Sequence, residues 1–173
     1  MPLIQELFEE TGFSLSDVGL IACDIGPGSF TGLRIGIATI KGFALSLNKK
    51  VIAVPTLVGL AYNITNFDGI ICSVLDARND NVYAALFKYE NKPKMIENYI
   101  TDSVDTLIEN LKSKNQKVLF VGDGATAFKE KFTEALQENA YFAPLHLNNQ
   151  LSTSIAKAAL DKALLDEFDT CDT

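Results

Sequence analysis

The sequence predicts an α/β fold in two halves that share one order of elements, the first half lacking three opening strands. Three observations carry this. Residues 67–173 read as βββ-α-β-α-β-α, and residues 1–66 read as the tail of the same order, α-β-α-β-α. Two short runs, Ile25-Gly26-Pro27-Gly28 and Val121-Gly122-Asp123-Gly124, each end a strand and turn into a helix. Finally, 47% of the 173 residues are apolar, enough for a real core.

The first half begins with a short helix over residues 2–11. Leu3, Ile4, Leu7 and Phe8 share a face, with Glu6, Glu9 and Glu10 elsewhere. Gly12 ends it. The mostly apolar run 18–25 predicts a buried strand, and Gly26-Pro27-Gly28 a sharp turn. Ser29 or Thr31 can cap a helix reaching to about residue 47. A strand over 51–54 and a helix over 56–64 follow.

The second half opens with strands at 70–75, 82–89 and 95–101, the first two joined by the polar turn Arg78-Asn79-Asp80-Asn81. The run 70–75 is apolar throughout, hence central. Then come a helix (103–114), a strand (117–121), a helix (126–138), a short strand (141–145) and a last helix (152–168). This order is that of a ribonuclease H-like domain, and a tandem pair of them is the actin-like architecture. We therefore expect a truncated first domain over 1–66 and a complete second domain over 67–173. A single α/β domain with a helical front is the other arrangement these elements allow. If three strands are missing, Met1 is an internal methionine of a longer protein.

Composition narrows the function. The net charge of −7 disfavours a large phosphate-backbone footprint. Cys23 and Cys72 sit in apolar runs, and with Cys171 the count is odd and lacks a Cys-x-x-Cys pair. A disulfide framework or zinc knuckle is not expected, and a reducing cytoplasm is the natural setting. The start is acidic and amphipathic, unlike a signal peptide. No run of about 18 apolar residues is seen, and on that ground a membrane span is excluded.

The segment Gly26-Pro27-Gly28-Ser29-Phe30-Thr31-Gly32-Leu33-Arg34-Ile35-Gly36 is the densest motif. Glycines between a strand and a helix can let a backbone approach phosphate, but neither a P-loop ending nor a full Gly-x-Gly-x-x-Gly is present. Gly26 and Gly28, with Asp76, Gly122 and Gly124 from the second half, are the candidate phosphate contacts. The helix that follows is apolar around most of its circumference. Leu33, Ile37, Ile40, Ala44 and Leu47 form one stripe; Gly32, Gly36, Thr39 and Phe43 form a second. Thr31, Ile35, Ala38, Gly42 and Leu45 lie nearly opposite the first. Only Arg34 and Lys41 mark a charged side. Glycine inside a helix costs up to about 1 kcal/mol against alanine, so Gly32, Gly36 and Gly42 suggest close approach of another backbone. Either the helix is sandwiched between the two halves, or its outer side meets another subunit.

The same segment, continued by Ala38-Thr39-Ile40-Lys41-Gly42, resembles the signature of the TsaB (YeaZ) family. Asp76-Ala77-Arg78 with Val82-Tyr83-Ala84-Ala85-Leu86-Phe87 resembles its second landmark, and Val121-Gly122-Asp123-Gly124-Ala125 its third. The order and spacing fit over nearly the whole chain. The resemblance implies the actin-like fold and a non-catalytic scaffold role beside TsaD, the subunit that transfers threonylcarbamoyl to a tRNA adenosine, with the ATPase TsaE joining them. It implies that the helices at 2–11 and 29–47 form the interface, through Leu7, Thr31, Gly32, Arg34, Ile35, Ala38, Lys41, Gly42 and Leu45. The same helices could pair two copies of the chain. Contact with tRNA would be indirect, no cofactor is expected on this chain, and ATP or ADP would be held only in the complex. Members of the family begin with a strand hairpin bearing an Asp-Thr-Ser-like segment and usually end in a Pro-x-Tyr-x-Arg-like stretch. Both are missing here, from which we expect a fragment with an exposed strand edge and marginal stability, or rescue by self-association.

Other chemistries find little support. A zinc peptidase or metal-dependent transferase needs clustered ligands, and the chain has one histidine, His146. A ribonuclease H-type nuclease needs converging carboxylates; Asp76, Glu109 and Asp123 fall loosely in place, but as turn and cap residues they have a simpler reading. Ser29 lacks the Gly-x-Ser-x-Gly setting of a hydrolase. A nucleotide-binding or kinase-like enzyme using an interdomain cleft is the main alternative to a scaffold.

Overall fold

The computed structural model describes residues 2–170. Among the described residues, seven α-helices and seven strands are arranged around two sheets. The first half supplies α1 (Pro2–Thr11), β1 (Leu20–Asp24), α2 (Phe30–Leu47), β2 (Lys50–Val54) and α3 (Thr56–Ala61). The second supplies β3 (Ile70–Arg78), β4 (Asn81–Glu90), β5 (Lys92–Ser103), α4 (Val104–Lys114), β6 (Val118–Val121), α5 (Asp123–Ala127), α6 (Lys129–Leu136), β7 (Ala140–Phe142) and α7 (Ser152–Ala163).

The larger sheet runs β5-β4-β3-β6-β7. β3 pairs antiparallel with β4 and parallel with β6, so the run 70–75, apolar but for Ser73, does become a central strand. Its side chains alternate between two layers, as strand geometry requires. Ile70, Cys72 and Val74 join Leu107, Leu111 and Phe132 on one face, while Ile71 joins Leu57, Leu60 and Ala61 on the other. Phe120 stacks on Phe132 with ring centroids 4.0 Å apart. The second-half order predicted from the sequence is present, with one change: the helix expected at 126–138 is two. α5 starts directly after Gly122, and Phe128 leaves helical geometry (φ −109°, ψ 20°) before α6 begins. Phe128 there packs its ring edge-on to Phe132, which apolar spacing alone does not reveal.

The smaller sheet is the parallel pair β1–β2. The two halves interlock: α3 packs against β3, and α7 lies on β1 and β2, where Ile155, Ala158 and Ala159 cover Ile52 and Val54. The outer side of β2 is met by Asp169, whose N–H donates to Val51 O and whose carboxylate accepts from Ala53 N at 2.8 Å. Among the described residues no strand pairs with the other side of β1.

α2 differs from expectation in one respect. It is long and apolar enough, by length and composition alone, to cross a membrane. A search for uninterrupted apolar runs misses it because Arg34 and Lys41 break the run.

Where α4 meets β5, Lys114 Nζ lies 2.6 Å from Glu97 Oε2, and Asn110 donates to Glu97 Oε1. The Lys114 hydrogen bond holds the Glu97 carboxyl below its usual value of 4.5. A carboxylate depressed on folding contributes stability that is present above its unfolded value and lost as pH falls through its folded one. Glu97→Gln is therefore expected to be less stable than wild type at pH 7, with the gap closing below pH 4.5. Urea unfolding of both proteins across roughly pH 3–7, a range that brackets the ordinary glutamate pKa, checks this; a gap independent of pH would refute it.

Candidate functional site

Two surfaces collect the residues singled out above. The first is the α1–α2 face. Ser29 caps α2 by accepting from Gly32 N at 3.3 Å, and Asn48 closes the helix in the left-handed region. The stripe Leu33, Ile37, Ile40, Ala44 and Leu47 turns inward, and Ala44 is the only fully buried residue of the helix. Phe43, from the second stripe, lines a groove with Ile4 and Phe8 of α1. The third stripe, Thr31, Ile35, Ala38, Gly42 and Leu45, is exposed along its whole length, so α2 is not sandwiched between the halves. Ile35 and Leu45 are 63% and 71% exposed, and Leu7 of α1 is 57% exposed. Arg34 is exposed and stacks its guanidinium over the exposed Phe30 ring, 5.2 Å from the centroid. Lys41 is half-buried.

The glycines of this face are informative. A Cβ placed on Gly36 or Gly42 would meet nothing within 4 Å. Nothing among the described residues therefore requires glycine there, although each costs helix stability.

The second surface is a cleft of about 680 Å³ between the halves. Gly28, Ser29, Asp24 and Thr56 line one wall, Asp76, Arg78, Tyr83 and Asp123 the other, and Asn148, Asn149 and Gln150 its base. Asp24 Oδ1 accepts from Thr56 Oγ1 at 2.6 Å and from Gly26 N at 2.9 Å. Asp76 Oδ1 accepts from Arg78 N, and Asp123 Oδ1 accepts from Asp76 N at 3.0 Å. At the base, Asn148 Oδ1 accepts from Gly122 N and Gln150 Nε2 donates to Thr56 O, tying both walls to one loop.

Of the candidate phosphate contacts, Gly28 and Asp76 line the cleft. Gly26, Gly122 and Gly124 are buried behind it. Gly26 has φ +100°, and a Cβ there would collide with Leu33; a Cβ on Gly122 (φ +118°) would collide with the Val74 backbone, and one on Gly124 with the Val74 side chain. Their close approach is to the protein itself. Sequence reasoning misses Asp24, Thr56, Asn148 and Gln150. Asp24 had a signal, an acid at a strand end before a glycine turn; the loop residues had none beyond polarity.

Chemically the cleft offers three carboxylates and a single cation, Arg78. Among the described residues no group of three His, Cys, Asp or Glu side chains is placed to hold a metal. Glu109 is exposed on α4 and does not join Asp76 and Asp123 at the cleft; His146 is exposed in a short turn after β7. Burial pushes the Cys23 thiol up, with the Asp24 charge adding to it, so it is not a ready thiolate. Cys171 lies outside the described residues.

Comparison with known proteins is consistent across sequence and fold. The family model described as TsaD, tRNA N6-adenosine threonylcarbamoyltransferase, matches residues 1–171. The tRNA threonylcarbamoyladenosine biosynthesis protein TsaB of Bacillus subtilis (strain 168) is 31% identical over 169 residues, 96% of this chain and 73% of that protein. The Escherichia coli (strain K12) protein of the same name is 37% identical over 90 residues, 51% of this chain and 39% of its own length. A Pseudomonas aeruginosa crystal structure, described as an uncharacterized protein with similarity to peptidase YeaZ, superposes with a TM-score of 0.84 at 23% identity, over 99% of this chain and 78% of that one.

Proposed function

The chain belongs to the TsaB (YeaZ) family within the broader TsaD-type group, and from that premise we propose that it is a non-catalytic subunit in the formation of threonylcarbamoyladenosine on tRNA. In this reading it binds a TsaD-like catalytic subunit through α1 and the outer stripe of α2, with a TsaE-like ATPase joining the assembly in the cytoplasm. The observation that carries the proposal is that outer stripe. Thr31, Ile35, Ala38, Gly42 and Leu45 form an exposed, uncharged face, with glycine at a position where no described residue calls for it. Apolar patches of this kind mark interaction sites, and small residues let a partner backbone come close. The chain's acidity supports indirect contact with tRNA, another subunit holding the phosphates.

Size-exclusion chromatography with light scattering, of the chain alone and mixed with the TsaD protein of the same organism, tests this. A one-to-one complex is expected. Two species eluting separately at tens of micromolar would refute the proposal.

The alternative, a nucleotide-using enzyme of the actin-like class, has the cleft in its favour. Its carboxylates argue the other way. Asp24, Asp76 and Asp123 face the space with only Arg78 to offset them, and a triphosphate there would meet net negative charge. Titration calorimetry of the chain alone with ATP and magnesium is expected to show no binding, with nucleotide retained only by the assembled complex. Saturable binding by the isolated chain would favour the enzyme reading.

A further inference from the structure

We draw no further inference here: the strongest candidate, the side of β1 that pairs with no strand among the described residues together with the apolar groove between that strand and α7, has nothing in the structure to show what covers it.

Discussion

If the chain binds a TsaD-like subunit through α2 as proposed, replacing Ala38 by arginine is expected to weaken that complex by roughly a hundredfold or more, corresponding to about 3 kcal/mol. Ala38 lies mid-helix, in the centre of the exposed stripe, with Ile35 before it and Gly42 after it. In the proposed interface a guanidinium there would enter a face that is uncharged on this chain's side, and a buried unpaired charge is among the costliest defects an interface can carry. The free chain should hardly notice, because an exposed helix position away from buried contacts tolerates substitution within about 0.5 kcal/mol. Thermal unfolding of the free protein and the affinity measured by calorimetry separate the two effects. Equal affinity for both proteins would remove α2 from the interface. Gly42→Ala gives a subtler readout on the same stripe. It should stabilise the free chain by up to about 1 kcal/mol through helix propensity, yet lower affinity if a partner backbone packs on Gly42. A gain in stability with no loss of affinity would mean that the glycine answers to no neighbour.

How much of this was legible in the sequence depended on periodicity. The run from Ile70 to Leu75 is apolar at nearly every position because β3 is covered on both faces, so it reads directly as a central strand. The start of α2 was legible because capping chemistry marks it, Ser29 being one of the two caps the sequence offers, while Asn48 in the left-handed region closes the other end. The break at Phe128 was not, since an aromatic residue that bends the chain to reach Phe132 has the same composition as one that continues a helix. The cleft was half legible. Asp76 and Gly28 are adjacent to turn signals in the chain. Asn148 and Gln150 lie in a polar loop and reach the cleft by bonding Gly122 N and Thr56 O, which are distant in sequence. Glycine was the hardest residue to read. Gly26, Gly28 and Gly122 occupy strand-to-helix turns and Gly124 the first turn of α5, yet only Gly28 reaches the open cleft, while the other three solve packing problems. The character in the string is the same whether a glycine serves conformation, internal packing or a partner.

Gly122→Ala puts the packing reading of these glycines to its sharpest test and should lower stability by about 3 kcal/mol or more. Two penalties act at one position. Its φ of +118° lies where an L-residue is strained, and a Cβ would overlap the carbonyl oxygen of Val74. That oxygen cannot withdraw easily. Val74 is fully buried in β3, held between β4 through Ala84 and the turn after β6. Moving it would disturb Cys72, Phe120 and Leu107, which share the same core. Nor can the glycine withdraw, because Asn148 Oδ1 holds its N–H at 3.1 Å and α5 starts at the next residue. Chemical denaturation should therefore show a large drop in midpoint for Gly122→Ala, while Gly36→Ala, at a helical glycine with open space around it, should show none. A Gly122→Ala protein as stable as wild type would mean that the β6–α5 turn is free to move, and Gly122 would again be a candidate for contact with something outside the chain.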